Sequence, residues 1–155
     1  MSIAGLVLIA LAGVVHVGIF LIESVLWRSK STWRTFGIRD EATAEAARPW
    51  AFNQGFYNLF LAVGAIGGAI VAIAARPAAG VLVLTGEQFA AYVATTGVAA
   101  VALGVAAFSA ACMVGAAIVL RASSGPSSTR SAAIQGGLPL IGLLLLGLSA
   151  ALQLP

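Results

Sequence analysis

An all-α fold, a bundle of four transmembrane helices, is what this chain predicts, and three observations predict it. Only 8% of its 155 residues are charged and 61% are hydrophobic, against roughly 25% charged in a soluble domain. The apolar residues gather into four runs, each able to supply the about 20 residues that cross a bilayer. Seven of the eight lysine and arginine residues fall in the first and third connections between those runs. A mean hydropathy of +1.05 agrees. One domain spanning residues 1–155 is the natural division.

The first helix is expected over about residues 3–26. It lacks a basic leading region and a small-residue cleavage site, so it reads as a retained span. The connection from Arg28 to Arg48 mixes charges with Trp33 and Phe36, and Trp27 and Trp50 flank it. Tryptophans beside basic residues fit anchors at the membrane interface. Asp40 ahead of Glu41-Ala-Thr-Ala-Glu45 suggests an N-cap and a short surface helix. Pro49 suits the first turn of the second span, expected over about residues 49–75, with a bend at Arg48-Pro49.

Arg76-Pro77-Ala-Ala-Gly80 closes the second span, and residues 76–88 form a weakly apolar connection on the membrane surface. The third helix is expected over about residues 88–120, longer than one crossing requires. Arg121 to Arg130, rich in Ser with one Gly and one Pro, predicts a flexible loop. The fourth helix is expected over about residues 132–154. The bias of positive charge puts the first and third connections in the cytoplasm and both termini outside, in a multi-pass protein of the bacterial cytoplasmic membrane. The same topology explains the net charge of +3 without nucleic acid. The lone Cys112 excludes an intramolecular disulfide and cysteine-based metal motifs.

Polar groups inside spans carry the functional reading, because the bilayer offers them no water. Asn53, Gln54, Tyr57 and Asn58 open the second span and fall within an arc of about 140° at 100° per residue. Gly64, Gly67 and Gly68 continue that face, and Gly64-xxx-Gly68 is a packing motif. His16 and Glu23 share a stripe of the first span, about 10 Å apart along the axis. Gln135 starts the fourth span, and Ser109 and Cys112 lie in the cytoplasmic half of the third. Together these predict a polar pocket open to the cytoplasm, with His16 at its floor.

Each residue also has a plain structural reading. The amides serve as interhelical glue, worth about 0.6 kcal/mol per bond in a membrane. Glu23 reaches the interface or pairs with Arg28 or Arg34, and His16 bonds a backbone carbonyl or Tyr57. Tyr57 is a core aromatic. A metal needs three or four ligands, and His16 and Glu23 are only two. No cofactor motif is present, neither a phosphate loop nor a nucleophile elbow.

His16-x6-Glu23-x3-Trp27, Arg34-x-Phe36-Gly37, Asn53-Gln54-Gly55-x-Tyr57-Asn58-x-Phe60-Leu61-Ala62-x-Gly64 and Gln135-Gly136 before Pro139 together resemble the DUF1304 family. That is a family of small membrane proteins of bacteria and fungi whose function is unknown. The resemblance covers most of the chain and supports the topology and the choice of residues. It implies no activity. The second connection is extended, and the third is longer and more polar than the family pattern.

Three functions compete. A small-molecule binding protein or proton-coupled transporter, a candidate homo-oligomer in the lipid bilayer, would use Glu23 to exchange a proton against a cationic substrate. A membrane-embedded isomerase or reductase would use His16, Glu23 and Tyr57 as acid and base, with the amides orienting a lipid-soluble substrate. An accessory subunit would use the amides only to lock the bundle.

Overall fold

The computed structural model describes residues 2–76 and 85–152, helical almost throughout. Helix α1 (Ile3–Phe20) starts on Ser2, whose hydroxyl accepts from the Gly5 backbone N–H, and runs into a π-turn at Leu21–Val25. A short α2 (Lys30–Thr35) precedes α3 (Glu41–Ala74), α4 (Gly86–Ser124) and α5 (Thr129–Ala151). Four segments are long and apolar enough to cross a membrane: Ile3–Val25, Glu41–Ala74, Gly86–Ser124 and Pro126–Ala151. The molecule is thus a multi-pass membrane protein.

The long helices pack in a square, α1 against α3 and α5, and α4 against the same two. Alanine dominates the core, where Ala12, Ala65, Ala69, Ala72, Ala102, Ala106 and Ala110 surround Leu6, Ile9 and Met113. Small side chains let backbones approach, which is how helices associate in a solvent as apolar as their own side chains. At the α3–α4 crossing a Cβ on Gly68 would lie 2.8 Å from the Ala102 carbonyl oxygen. At the α1–α5 crossing a Cβ on Gly5 would lie 2.9 Å from the Gly142 carbonyl oxygen. Gly64 also faces α4, against Ser109, so Gly64-xxx-Gly68 is a helix-packing seam.

Several boundaries differ from the sequence expectation. The surface helix after Asp40 and the second span are one helix, with Pro49 inside it. Asp40 supplies the cap, its carboxylate accepting from the Thr43 backbone N–H at 2.8 Å and hydroxyl at 2.9 Å. The alanine-rich turn that follows favours helix strongly enough to fuse with the span. Pro49 then removes only the hydrogen bond to the Glu45 carbonyl, at an exposed stretch of the helix.

The expected flexible loop at residues 121–130 is mostly helical. Helix α4 continues to Ser124, Gly125 turns the chain with φ of 71°, and a 3₁₀ turn at Pro126–Ser128 leads into α5. The Ser128 hydroxyl donates to the Gly125 carbonyl at 2.8 Å, so the serines close the turn. The expected surface segment at residues 76–88 falls mostly outside the described residues, as does the expected end of the fourth helix at residue 154.

Helix α4 has 39 residues, about 58 Å of helix. Measured from the Gly68–Ala102 contact, its N-terminal end overhangs the end of α3 by about 15 Å. Residues 85–98 are exposed on every face.

Candidate functional site

The site is built at the π-turn that ends the first span. The Leu26 N–H bonds the Leu21 carbonyl at 2.7 Å, five residues back, so the turn holds one residue more than an α-helix would. Glu23 sits in that turn with its side chain inward and 8% exposed. Its Oε2 accepts from Asn58 Nδ2 at 3.0 Å. The same amide nitrogen donates to the Gln54 carbonyl at 3.1 Å, which fixes the orientation of the Asn58 side chain on its own helix. Among the described residues no cation forms an ion pair with Glu23; the one ion pair joins Arg48 to Glu45.

Two neighbours hold this contact together. The Ser24 hydroxyl donates to the Phe52 carbonyl at 2.9 Å, crossing from the π-turn to α3. Gly55 makes the crossing close, because a Cβ there would collide with Ser24 Oγ and lie 3.2 Å from Glu23 Cβ. Beside it the rings of Phe20 and Phe56 meet edge to face, with centroids 5.2 Å apart.

His16 lies two turns deeper and is fully buried. Its Nδ1 is 3.0 Å from the Ala12 carbonyl oxygen. A carbonyl only accepts, so Nδ1 carries the proton and Nε2 presents a lone pair. Among the described residues Nε2 has no hydrogen-bond partner. The backbone-carbonyl role considered for His16 thus accounts for one nitrogen and leaves the other over. The register of α1 on α5, set by Ile9 against Gly142, brings half-buried Gln135 to the level of His16.

The remaining predicted residues do not join this site. Asn53, Gln54 and Tyr57 are exposed on the outer face of α3, with Tyr57 55% exposed. The inward stripe is Gly55, Asn58, Ala62, Ala65 and Ala69. The broad polar arc pointed about one side chain too far round, because small residues, not amides, decide which face can approach a neighbouring helix. Glu23 accordingly meets Asn58 and not Asn53. Ser109 is buried and Cys112 half-buried.

The cap over this end also differs from expectation. Trp27 and Trp33 are buried with Ala44 and do not lie out at an interface. Trp27 Nε1 donates to the Ala44 carbonyl at 2.9 Å, and Trp33 Nε1 donates to the Trp27 carbonyl. Each indole finds a backbone acceptor, which permits its burial. Trp50 alone stays out, 77% exposed. An open apolar groove of about 520 Å³ lies elsewhere, between α3 and α4 near Gly68, Val71, Val98 and Val101. It lies toward the opposite end of the bundle. Among the described residues no cluster of three or more His, Cys, Asp or Glu could hold a metal.

Sequence reasoning missed Ser24, Gly55 and Phe56. Gly55 was legible as the one residue without a side chain inside the Asn-Gln-Gly-x-Tyr-Asn motif. A family model described as a protein of unknown function, DUF1304, matches residues 10–103. That span holds Glu23, Asn58, Gly55 and His16. No curated protein and no solved structure matches the chain.

Proposed function

This chain belongs to the DUF1304 family, whose description is a protein of unknown function, and from that premise we propose that it binds a small molecule in exchange for a proton at the Glu23–Asn58 contact, as a proton-coupled transporter does. The observation that carries this is the 3.0 Å bond from Asn58 to a buried carboxylate that has no cationic partner among the described residues. An ionised carboxylate away from water needs a counter-charge. A proton or a ligand cation supplies one, and the two compete for the same oxygen. Asn58 has its own backbone anchor at Gln54 and stays in place whichever is bound.

We take the site to face the cytoplasm, with both termini outside, because Arg28, Lys30, Arg34, Arg39, Arg48, Arg121 and Arg130 occupy the connections at this end of the bundle. Residence in a bacterial cytoplasmic membrane is part of the same reading. The predicted pocket of seven residues narrows to Glu23 and Asn58, with His16 and Gln135 behind them. Asn53, Gln54 and Tyr57 are left for contacts outside the bundle.

The decisive experiment replaces Glu23 with Gln in the purified, reconstituted protein. Gln keeps an acceptor for Asn58 and removes the titrating group. Ligand binding or transport should then lose its pH dependence. A pH profile identical to that of the wild type would sink the proposal. An enzyme reading draws on one specific observation, that His16 Nε2 has no partner among the described residues. Product formation from a lipid-soluble substrate, lost in His16→Gln and retained in Glu23→Gln, would favour it.

A further inference from the structure

We infer that the exposed face of α2 docks the phosphate of an anionic phospholipid, held between Lys30 and Arg34, in the leaflet at the end of the bundle that carries the tryptophan cap. This goes beyond the exchange at Glu23 and does not depend on it.

Thr32 and Trp33 form the buried face of α2, and Lys30, Ser31, Arg34 and Thr35 the exposed one. Lys30 and Arg34 are four residues apart, so their Cβ atoms are neighbours at about 5–6 Å. Two cations at that spacing can both donate to one phosphate. The Ser29 and Ser31 hydroxyls share one hydrogen bond at 2.7 Å, which leaves one O–H to donate beside them. Between Glu23 and Asp40 the sequence holds Arg28, Lys30, Arg34 and Arg39 and no acid. Among the described residues none of these four forms an ion pair, whereas Arg48 pairs with Glu45. Glu23 is buried against Asn58, and the Asp40 carboxylate caps α3.

The position of this face selects a lipid over an anion from solution. Trp33 Nε1 donates to the carbonyl of Trp27, two residues past the π-turn, and Trp27 Nε1 donates to the Ala44 carbonyl. The buried indoles thus hold α2 against the end of the first span, at headgroup depth. Val25, Leu26 and Phe36 lie on either side of α2 and are 59%, 51% and 41% exposed. Acyl chains cover such apolar surface, and the cations set within it meet headgroups first. A zwitterionic headgroup brings its own ammonium against Lys30 and Arg34, so an anionic one is preferred. The third connection lies at the same end without offering such a pair. Its Arg121 and Arg130 are nine residues apart, on either side of the Gly125 turn.

The full chain in phosphatidylcholine vesicles tests this, with spin-labelled phosphatidylglycerol and spin-labelled phosphatidylcholine as probes. The fraction of each label immobilised at the protein gives their relative association constant. A preference for phosphatidylglycerol of about fivefold or more is expected, since each basic side chain near the surface contributes roughly that factor. It should fall with added salt and disappear in Lys30→Gln with Arg34→Gln. Both side chains are exposed, so the buried indoles should keep their emission in that variant. Arg121→Gln with Arg130→Gln should keep the preference. Equal association of the two labels in the wild type, or a preference that survives loss of Lys30 and Arg34, would overturn the inference. So would an equal loss in the Arg121 and Arg130 variant, which would trace the preference to the general charge of this end. Displacement of the label by inorganic phosphate or polyglutamate at matched ionic strength would assign the face to a solution anion and overturn it too.

Discussion

Asn58 Nδ2 donates to Glu23 Oε2 across 3.0 Å, joining two buried polar side chains 35 residues apart in sequence. Asn58→Leu leaves the carboxyl buried without its donor, and a loss of about 1–3 kcal/mol is expected. Replacing both partners, Glu23→Leu with Asn58→Leu, should recover most of it. Reversible unfolding in mixed micelles measures both, and a double variant no better than the single one would deny the coupling.

Gly55→Ala should cost about 1–3 kcal/mol, because the new methyl collides with Ser24 Oγ. The Ser24→Ala background removes that oxygen and should return part of the loss, with Glu23 Cβ and the Cβ of residue 24 the remaining close neighbours, each at 3.2 Å. Melting temperatures of the two variants and their combination test the rescue.

Gly67 and Gly68 are adjacent in sequence and opposite in consequence. A Cβ on Gly68 meets the backbone of α4, with Ala106 N at 2.8 Å, and backbone does not step aside. Gly68→Ala should destabilise by about 1–3 kcal/mol. Gly67 faces open space, so Gly67→Ala should stabilise by about 0.4–1 kcal/mol through reduced backbone freedom in the unfolded chain. The same unfolding assay reads both signs.

The Thr43 backbone N–H, then its hydroxyl, hold the Asp40 carboxyl below the usual carboxylate range. A folded value below the unfolded one adds stability above the unfolded value, and that stability disappears as pH falls through the folded value. Asp40→Asn keeps a capping acceptor and should flatten the acid side of the stability–pH curve while changing little at pH 7. Melting curves from neutral pH down through the carboxylate range show the difference.

Tryptophan emission separates the three indoles. Trp27 and Trp33 are 5% and 8% exposed and Trp50 is 77% exposed. Trp50→Phe should shift the emission to the blue and remove most quenching by acrylamide or by brominated lipid. Unchanged quenching would contradict the buried cap.

The four spans and the packing seam at Gly64 and Gly68 were legible because composition and spacing determine them. So was the importance of Glu23, since a carboxylate in an apolar run always demands an account. The face of α3 was not legible. Asn53, Gln54, Tyr57 and Asn58 lie within one arc, and only the close approach allowed by Gly55 selects Asn58. The π-turn was equally hidden, because Leu21 to Val25 carries no Pro or Gly to mark it. It rotates the end of the span away from α-helical phase, so angles counted from His16 at 100° per residue fail beyond Phe20. The fusion through Pro49 shows a local rule yielding to a strong cap and a run of alanines.

The overhang of α4 gives this small bundle an outward sign of its polarity. One end carries the tryptophan cap and nearly all the lysines and arginines; at the other, the start of α4 extends about 15 Å past the end of α3. For a 15.5 kDa protein, such an extension is a fiducial. In a nanodisc image it would mark one leaflet from the other, and a tag on it would report the sidedness of every reconstituted molecule.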